Sequence, residues 1–225
     1  MTPAPATPLS RPRGFTLIEL LVTIAIIGVL ALIVTPVVSS SIKSSRVAKS
    51  LNNMRQIGMI VRMYSNENRG SIPSAWDNNT KKTWTTLVRD SEVVPPKDLR
   101  SVLVCPLMEA FNGDDNENSA TSYAMNTYIG DRPSKPAYMG ITNMAQAVNP
   151  SRTALLFNSF YYPTSLTWKY SASPGEVQST ILPADGNHVQ VLFLDGSVGM
   201  IDGEDHRLYS LSTRGSASWM FWNGE

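Results

Sequence analysis

Between Phe15 and Val38 the chain runs for 24 residues, FTLIELLVTIAIIGVLALIVTPVV, with Glu19 as the one ionisable side chain. As a helix rising 1.5 Å per residue this run is about 36 Å long. That exceeds the roughly 30 Å hydrocarbon layer of a bilayer and predicts a tilted spanning helix. After Pro36 the pattern changes. Val47, Leu51, Met54, Gly58 and Val61 recur at spacings of four and three, and Ile57 and Tyr64 widen the stripe. Lys43, Arg46, Lys49, Asn53 and Arg62 take much of the remainder, so an amphipathic helix should lay one face on a sheet and turn the other to solvent or headgroups. Gly70 offers a left-handed cap and Pro73 forbids continuation, ending the helix near Asn68 after roughly 50 residues.

Beyond it the periodicity shortens. Ser71 to Arg100 is irregular, with Thr83 to Asp90 as a short helix and Pro95-Pro96 as a break. Apolar and β-branched runs bounded by turn residues predict antiparallel strands at Val102 to Cys105, Ser122 to Ile129, Thr153 to Phe160 and His188 to Leu194. The clearest hairpin joins Val191–Leu194 to Ser197–Ile201 through Asp195-Gly196, a pair suited to the positive φ angles of a tight two-residue turn. The class is α+β, with a long N-terminal helix packed on an antiparallel sheet.

Composition narrows the function. With 225 residues and 42% hydrophobic content, the chain buries a core and fits one head of ordinary size. The net charge of +1 falls to −1 without residues 1–14, which carry Arg11, Arg13 and no acid, so the overall balance does not ask for nucleic acid. The single cysteine, Cys105, rules out an internal disulfide and cannot alone make a metal site. A secretory signal would have a shorter apolar region followed by a small-x-small cleavage site, and neither is seen. Arg11 and Arg13 favour a cytoplasmic amino terminus with everything after Val38 outside, although Lys43, Arg46 and Lys49 flank the other end.

Glu19 asks for a reason, because a carboxylate in an apolar span costs on the order of 3 kcal/mol near the bilayer centre and less near an edge. If the chain is cut between Gly14 and Phe15, the new α-amine lies four residues before Glu19, the spacing of helix-face neighbours, and the helix dipole also favours an acid there. In a bundle the carboxylate would instead meet an adjacent subunit's amine and set an axial register. Arg13-Gly14-Phe15-Thr16-Leu17-Ile18-Glu19 followed by an unbroken apolar run resembles the class III leader and first turn of type IV pilins and type II secretion pseudopilins.

The resemblance implies cleavage after Gly14 by a prepilin peptidase, methylation of Phe15, and Glu19 as the assembly acid. Gly28 and Pro36 fall where pilin helices often carry glycine and proline, and Pro36 removes one helix hydrogen bond, inviting a kink or local melting. The expected organisation is a leader over 1–14, a transmembrane and assembly helix over 15–38, its amphipathic continuation over 39–70, and a β-rich head over 71–225. The implied partners are the prepilin peptidase, copies of the chain or other pilins, an inner-membrane assembly platform and membrane lipid. The implied location is the inner membrane, single-pass, with the head in the periplasm or outside, and then a filament.

Leu51-Asn52-Asn53-Met54-Arg55-Gln56-Ile57-Gly58, Met63-Tyr64, Tyr123-Ala124-Met125-Asn126, Pro150-Ser151-Arg152-Thr153 and Val191-Leu192-Phe193-Leu194-Asp195-Gly196 resemble a pseudopilin-like group of planctomycetes and verrucomicrobia. That group is named for a histidine and a downstream Asp-Gly pair. Here Asp185 stands at the matching position, and His188 is closer to Asp195.

Other chemistry is sparse. His188, Asp195 and Asp185 would make a polar cluster, against the plainer reading of a strand-edge histidine. Asp114-Asp115-Asn116-Glu117 and Asp202-Gly203-Glu204-Asp205 offer oxygens of the kind calcium takes, with Asp202, Glu204 and Asp205 as candidates against solvated acidic turns; no other cofactor is expected. No Gly-x-Ser-x-Gly elbow, phosphate loop, Cys-x-x-Cys or His-Glu-x-x-His occurs, and there are two histidines, which argues against an enzyme. Lys43, Arg46, Lys49, Arg55 and Arg62 invite nucleic acid, but lipid headgroups or acidic neighbours explain them more cheaply. Trp219-Met220-Phe221-Trp222 reads as core or subunit contact. The leading function is a structural pseudopilin or minor pilin of a type II secretion or type IV pilus-like filament. The alternative is a single-pass anchored module that binds glycan, cargo or metal.

Overall fold

The computed structural model describes residues 15–77, 79–95, 99, 101–107, 121–130, 140–158, 161–162, 167–168, 171–172, 187–208, 221–222 and 224. The chain divides into two compact units, Met1–Ile42 and Lys43–Glu225. Helix α1 is Leu17–Glu67, 51 residues, close to the predicted length, with Phe15 and Thr16 ahead of its first turn.

In the first unit the apolar side chains of α1 are exposed from Leu17 to Val38, and the helix is long and apolar enough to cross a membrane. The helix continues unbroken through Gly28 and Pro36. Around the proline, hydroxyls reinforce the carbonyl ladder: Thr35 donates to the Ala31 carbonyl at 2.7 Å, Ser39 to Thr35 at 3.1 Å, and Ser40 and Ser41 both to Val37 at 2.9 Å. Such back-bonding is a usual way to satisfy carbonyls in an apolar setting.

The second unit is the head. Its stretch of α1 buries Met54, Ile57, Gly58 and Val61 of the predicted stripe, together with Ser50, Asn53, Ile60 and Ser65, while Val47, Leu51 and Tyr64 of that stripe are half-buried. Asn53, expected on the polar face, is buried because its amide donates to the Val104 carbonyl at 3.1 Å. The helix ends as expected, with Arg69 at φ 55° and Gly70 at φ 86° and the Gly70 amide donating to the Ser65 carbonyl. A Cβ on Gly70 would also collide with the Asn143 amide at 2.7 Å.

The short helix α2 (Trp84–Asp90) starts at Thr83, whose hydroxyl accepts from the Thr86 amide, a normal N-cap. The strands are β1 (Trp76–Asp77), β2 (Lys82–Thr83), β3 (Tyr123–Asn126), β4 (Ala154–Asn158), β5 (Tyr161–Tyr162), β6 (Thr167–Trp168), β7 (Ser171–Ala172), β8 (His188–Phe193) and β9 (Val198–Asp202). A five-stranded sheet has the order β7-β3-β4-β8-β9, antiparallel except for the parallel β3–β7 pair, and β1–β2 and β5–β6 form separate pairs. Val102 to Cys105 is not a strand. Leu103 donates to the Leu99 carbonyl in a helical turn, and the Ser122 amide then donates to the Leu103 carbonyl.

The β8–β9 hairpin pairs His188 with Asp202 and Leu192 with Val198. Its loop is one residue longer than predicted. The Phe193 amide donates to the Ser197 carbonyl at 2.8 Å, so Leu194, Asp195 and Gly196 make the turn, with Gly196 at φ 87° as the left-handed residue. Both sheet faces are covered. Tyr123, Met125, Leu156 and Leu192 join the α1 core, while Ala124, Phe157, Val189 and Val191 pack with Phe221 and Trp222. Burial on two sides explains why β3, β4 and β8 read as nearly continuous apolar runs.

Candidate functional site

The first turn of α1 is built as a reciprocal cap. Thr16 precedes the helix and Glu19 is its third residue. The Thr16 hydroxyl accepts from the Glu19 amide at 3.3 Å, and the Glu19 carboxylate accepts from the Thr16 amide at 2.9 Å and from the Thr16 hydroxyl at 2.7 Å. Thr-x-x-Glu ahead of an apolar run is the sequence signature of this capping box, a signal additional to the spacing of Glu19 from the Gly14-Phe15 junction. The cap also fixes where Phe15 lies in the uncut chain. It stands before the N-cap, outside the helix, on the same side as Ile18, Glu19 and Val22.

Two consequences follow for Glu19. Its Oε2 has hydrogen-bond donors within its own chain, which lowers the cost of carrying an acid beside apolar residues. It also stands at the rim of an open groove of about 360 Å³ lined by Phe15, Ile18, Glu19, Val22 and Thr23. A carboxylate beside exposed apolar side chains can accept a cationic donor while its flanks bury against another helix. Gly14 and the rest of the leader lie outside the described residues. Among the other expected positions, Gly28 has no heavy atom beyond its own turn of helix backbone within 4 Å of where a Cβ would sit, leaving its face open to close approach.

In the head, the suggested His188–Asp195 cluster does not form. His188 begins β8 opposite Asp202, and Asp195 sits in the loop beyond the strand's far end, on the order of 20 Å away by strand rise. Asp185, Asp114, Asp115 and Glu117 lie outside the described residues. Asp202 uses Oδ1 to accept the Glu204 amide at 2.9 Å. Asp205 is paired with Arg207, which donates Nη2 at 2.6 Å and Nε at 3.0 Å, holding the carboxyl below its ordinary range. Among the described residues no three of His, Cys, Asp or Glu gather as a metal site.

A buried polar cluster escaped the pattern reading. The Ser50 hydroxyl donates to Gln190 Oε1 and lies 3.2 Å from the Tyr123 hydroxyl and 3.1 Å from the Cys105 sulfur, all fully buried between α1 and the sheet. Gln190 in turn donates Nε2 to the Val47 carbonyl at 3.3 Å and its backbone amide to Asn158 Oδ1 at 2.8 Å. Burial pushes the Tyr123 phenol far above its usual range, and Cys105 beside it adds to the shift. These groups fasten helix to sheet. Of the carboxy-terminal aromatics, Phe221 and Trp222 are core, with the Trp222 ring 5.1 Å from Phe157 and its indole donating to the Arg207 carbonyl at 2.7 Å. Trp219 and Met220 lie outside the described residues.

No curated protein and no solved structure matches the chain. Residues 9–35, which hold the Arg-Gly-Phe junction, the Thr16–Glu19 cap and most of the apolar run, match the family model for the prokaryotic N-terminal methylation motif, and that motif, with one helix among the described residues long and apolar enough to cross a membrane, supports a type IV pilin-like precursor.

Proposed function

We propose that this chain is a structural subunit, a pseudopilin or minor pilin, of a type II secretion or type IV pilus-like filament. A prepilin peptidase cleaves after Gly14 and methylates the new amino terminus at Phe15. The subunit waits in the inner membrane with its head on the outer side and enters the filament by moving its apolar helix from lipid to neighbouring helices. The observation that carries this reading is the methylation motif running directly into a helix whose exposed apolar stretch holds one acid, Glu19.

In this scheme Glu19 changes partner. In the single subunit its carboxylate is held by Thr16. In the filament it takes an amine from the same or an adjacent subunit, an exchange favoured because a charged donor in a dry bundle binds a carboxylate more strongly than a neutral one. Burial of the apolar faces against each other sets the contact, and the Glu19 pair sets its register.

Two measurements test the proposal. Mass spectrometry of the protein from its native host should find a chain starting at methylated Phe15; an intact Met1 start would overturn the processing step. Glu19→Ala should fractionate with the membrane as the parent does yet be absent from sheared filaments or cross-linked ladders. Normal incorporation of that variant would remove Glu19 from the assembly step.

A further inference from the structure

The end of α1, the 3-10 turns Met144–Gln146 and Pro150–Arg152, and the β8–β9 loop together line a groove of about 490 Å³. That volume is in the range of small-ligand sites, and the lining combines apolar Met144, Pro150 and Leu194 with polar Arg62, Asn66 and Asp195. Nothing in the filament reading uses it.

Arg62 decides its chemistry. Its Nη2 donates to the Asp195 carbonyl, and the guanidinium lies along Gly196, where a Cβ would be 3.5 Å from Nη2, 3.6 Å from Nε and 3.7 Å from Cζ. The anchor is a neutral carbonyl. Among the described residues no carboxylate lies within ion-pair distance of Arg62. The acid in the lining, Asp195, spends its Oδ1 on the Ser197 amide at 2.8 Å and the Ser197 hydroxyl at 2.6 Å. A guanidinium has five N–H donors in a flat fork, so most of Arg62's remain for a ligand while its position is fixed by the loop.

We propose that this groove binds a carboxylate carried on a short aliphatic body. The fork of Arg62 matches the two oxygens of a carboxylate, and the aliphatic part lies on Met144, Pro150 and Leu194. A phosphate would meet the same fork but gain nothing from the apolar lining and find no second cation in it. Two sources share the chemistry: the terminal residue of a peptide and a free short-chain acid.

The test is a titration of the full chain in detergent micelles, labelled with 13C at the methionine methyls, with N-acetyl-leucine, its neutral counterpart N-acetyl-leucinamide, butyrate and 1-butanol. Saturable movement of the Met144 resonance by an acid and not by its neutral counterpart supports the site. N-acetyl-leucine alone points to a peptide terminus and butyrate alone to a free acid. Arg62→Gln should weaken that binding roughly tenfold or more, the value of a hydrogen bond to a charged group. The remaining methionine resonances report whether the variant keeps its fold. Failure of both acids to move Met144, equal movement by the neutral compounds, or unchanged affinity in Arg62→Gln would overturn the proposal. None of these results depends on filament assembly.

Discussion

Gly58 of α1 packs closely on Leu192 of β8: a Cβ on Gly58 would sit 3.1 Å from Leu192 Cδ1, which would have to give by a few tenths of an ångström, and 3.8 Å from the Gly196 Cα. This is where the helix crosses the sheet beside the β8–β9 loop. Gly58→Ala should change stability little, because a gain of about 1 kcal/mol in helix propensity opposes the tight contact. Gly58→Val should cost about 1–3 kcal/mol through overpacking, read from chemical denaturation of the head.

The Ser50–Gln190 link is the buried tie between α1 and β8. Ser50→Ala removes the donor to Gln190 Oε1 and should cost about 1–3 kcal/mol, the penalty of an unsatisfied buried acceptor. Replacing Gln190 by Leu as well should cost less than the two single changes added together. A double-mutant cycle with no coupling would mean that the link contributes nothing of its own.

Asp205 carries a pH dependence whose sign follows from its partner. Arg207 holds the folded carboxyl below its ordinary value, so the unfolded chain takes up a proton first as pH falls. The stabilisation is present above the ordinary aspartate range near pH 4 and disappears as pH falls through the lower folded value. Arg207→Gln should therefore reduce stability at pH 6 but hardly at pH 2, flattening the acid limb of the melting-temperature profile.

The Thr16–Glu19 cap predicts a local effect distinct from assembly. Thr16→Ala removes the hydroxyl that accepts from the Glu19 amide and donates to its carboxylate. Loss of an N-cap is worth about 1 kcal/mol, so exchange of the amides in the first turn should quicken by roughly fivefold. Amides around Met54 and Ile57, on the buried face of α1, should be unchanged. Uniform acceleration along the helix would show that the cap does not act locally.

Much of this protein was legible along the chain because the relevant forces are local. An apolar run long enough to cross a bilayer, a stripe at spacings of three and four, Gly70 as a left-handed stop and Asp-Gly in a hairpin each act within a few residues of themselves. The Arg-Gly-Phe junction and Glu19 belong to the same class, and Thr-x-x-Glu shows that even the cap was written there. What α1 packs on was not. Asn53 reads as solvent-facing by residue type, yet it and Ser50 are buried because the Val104 carbonyl and Gln190, far away in sequence, arrive to bond them. Val102 to Cys105 has the composition of a strand but turns helically, since its partners Ser50, Asn53 and Ser122 are set by the fold and not by neighbours in the chain. Arg62 likewise looked like one more surface cation. Only the long-range closure of the β8–β9 loop against α1 fixes it on Gly196 and the Asp195 carbonyl beside a groove, because a site made of distant segments exists only once the core has drawn them together.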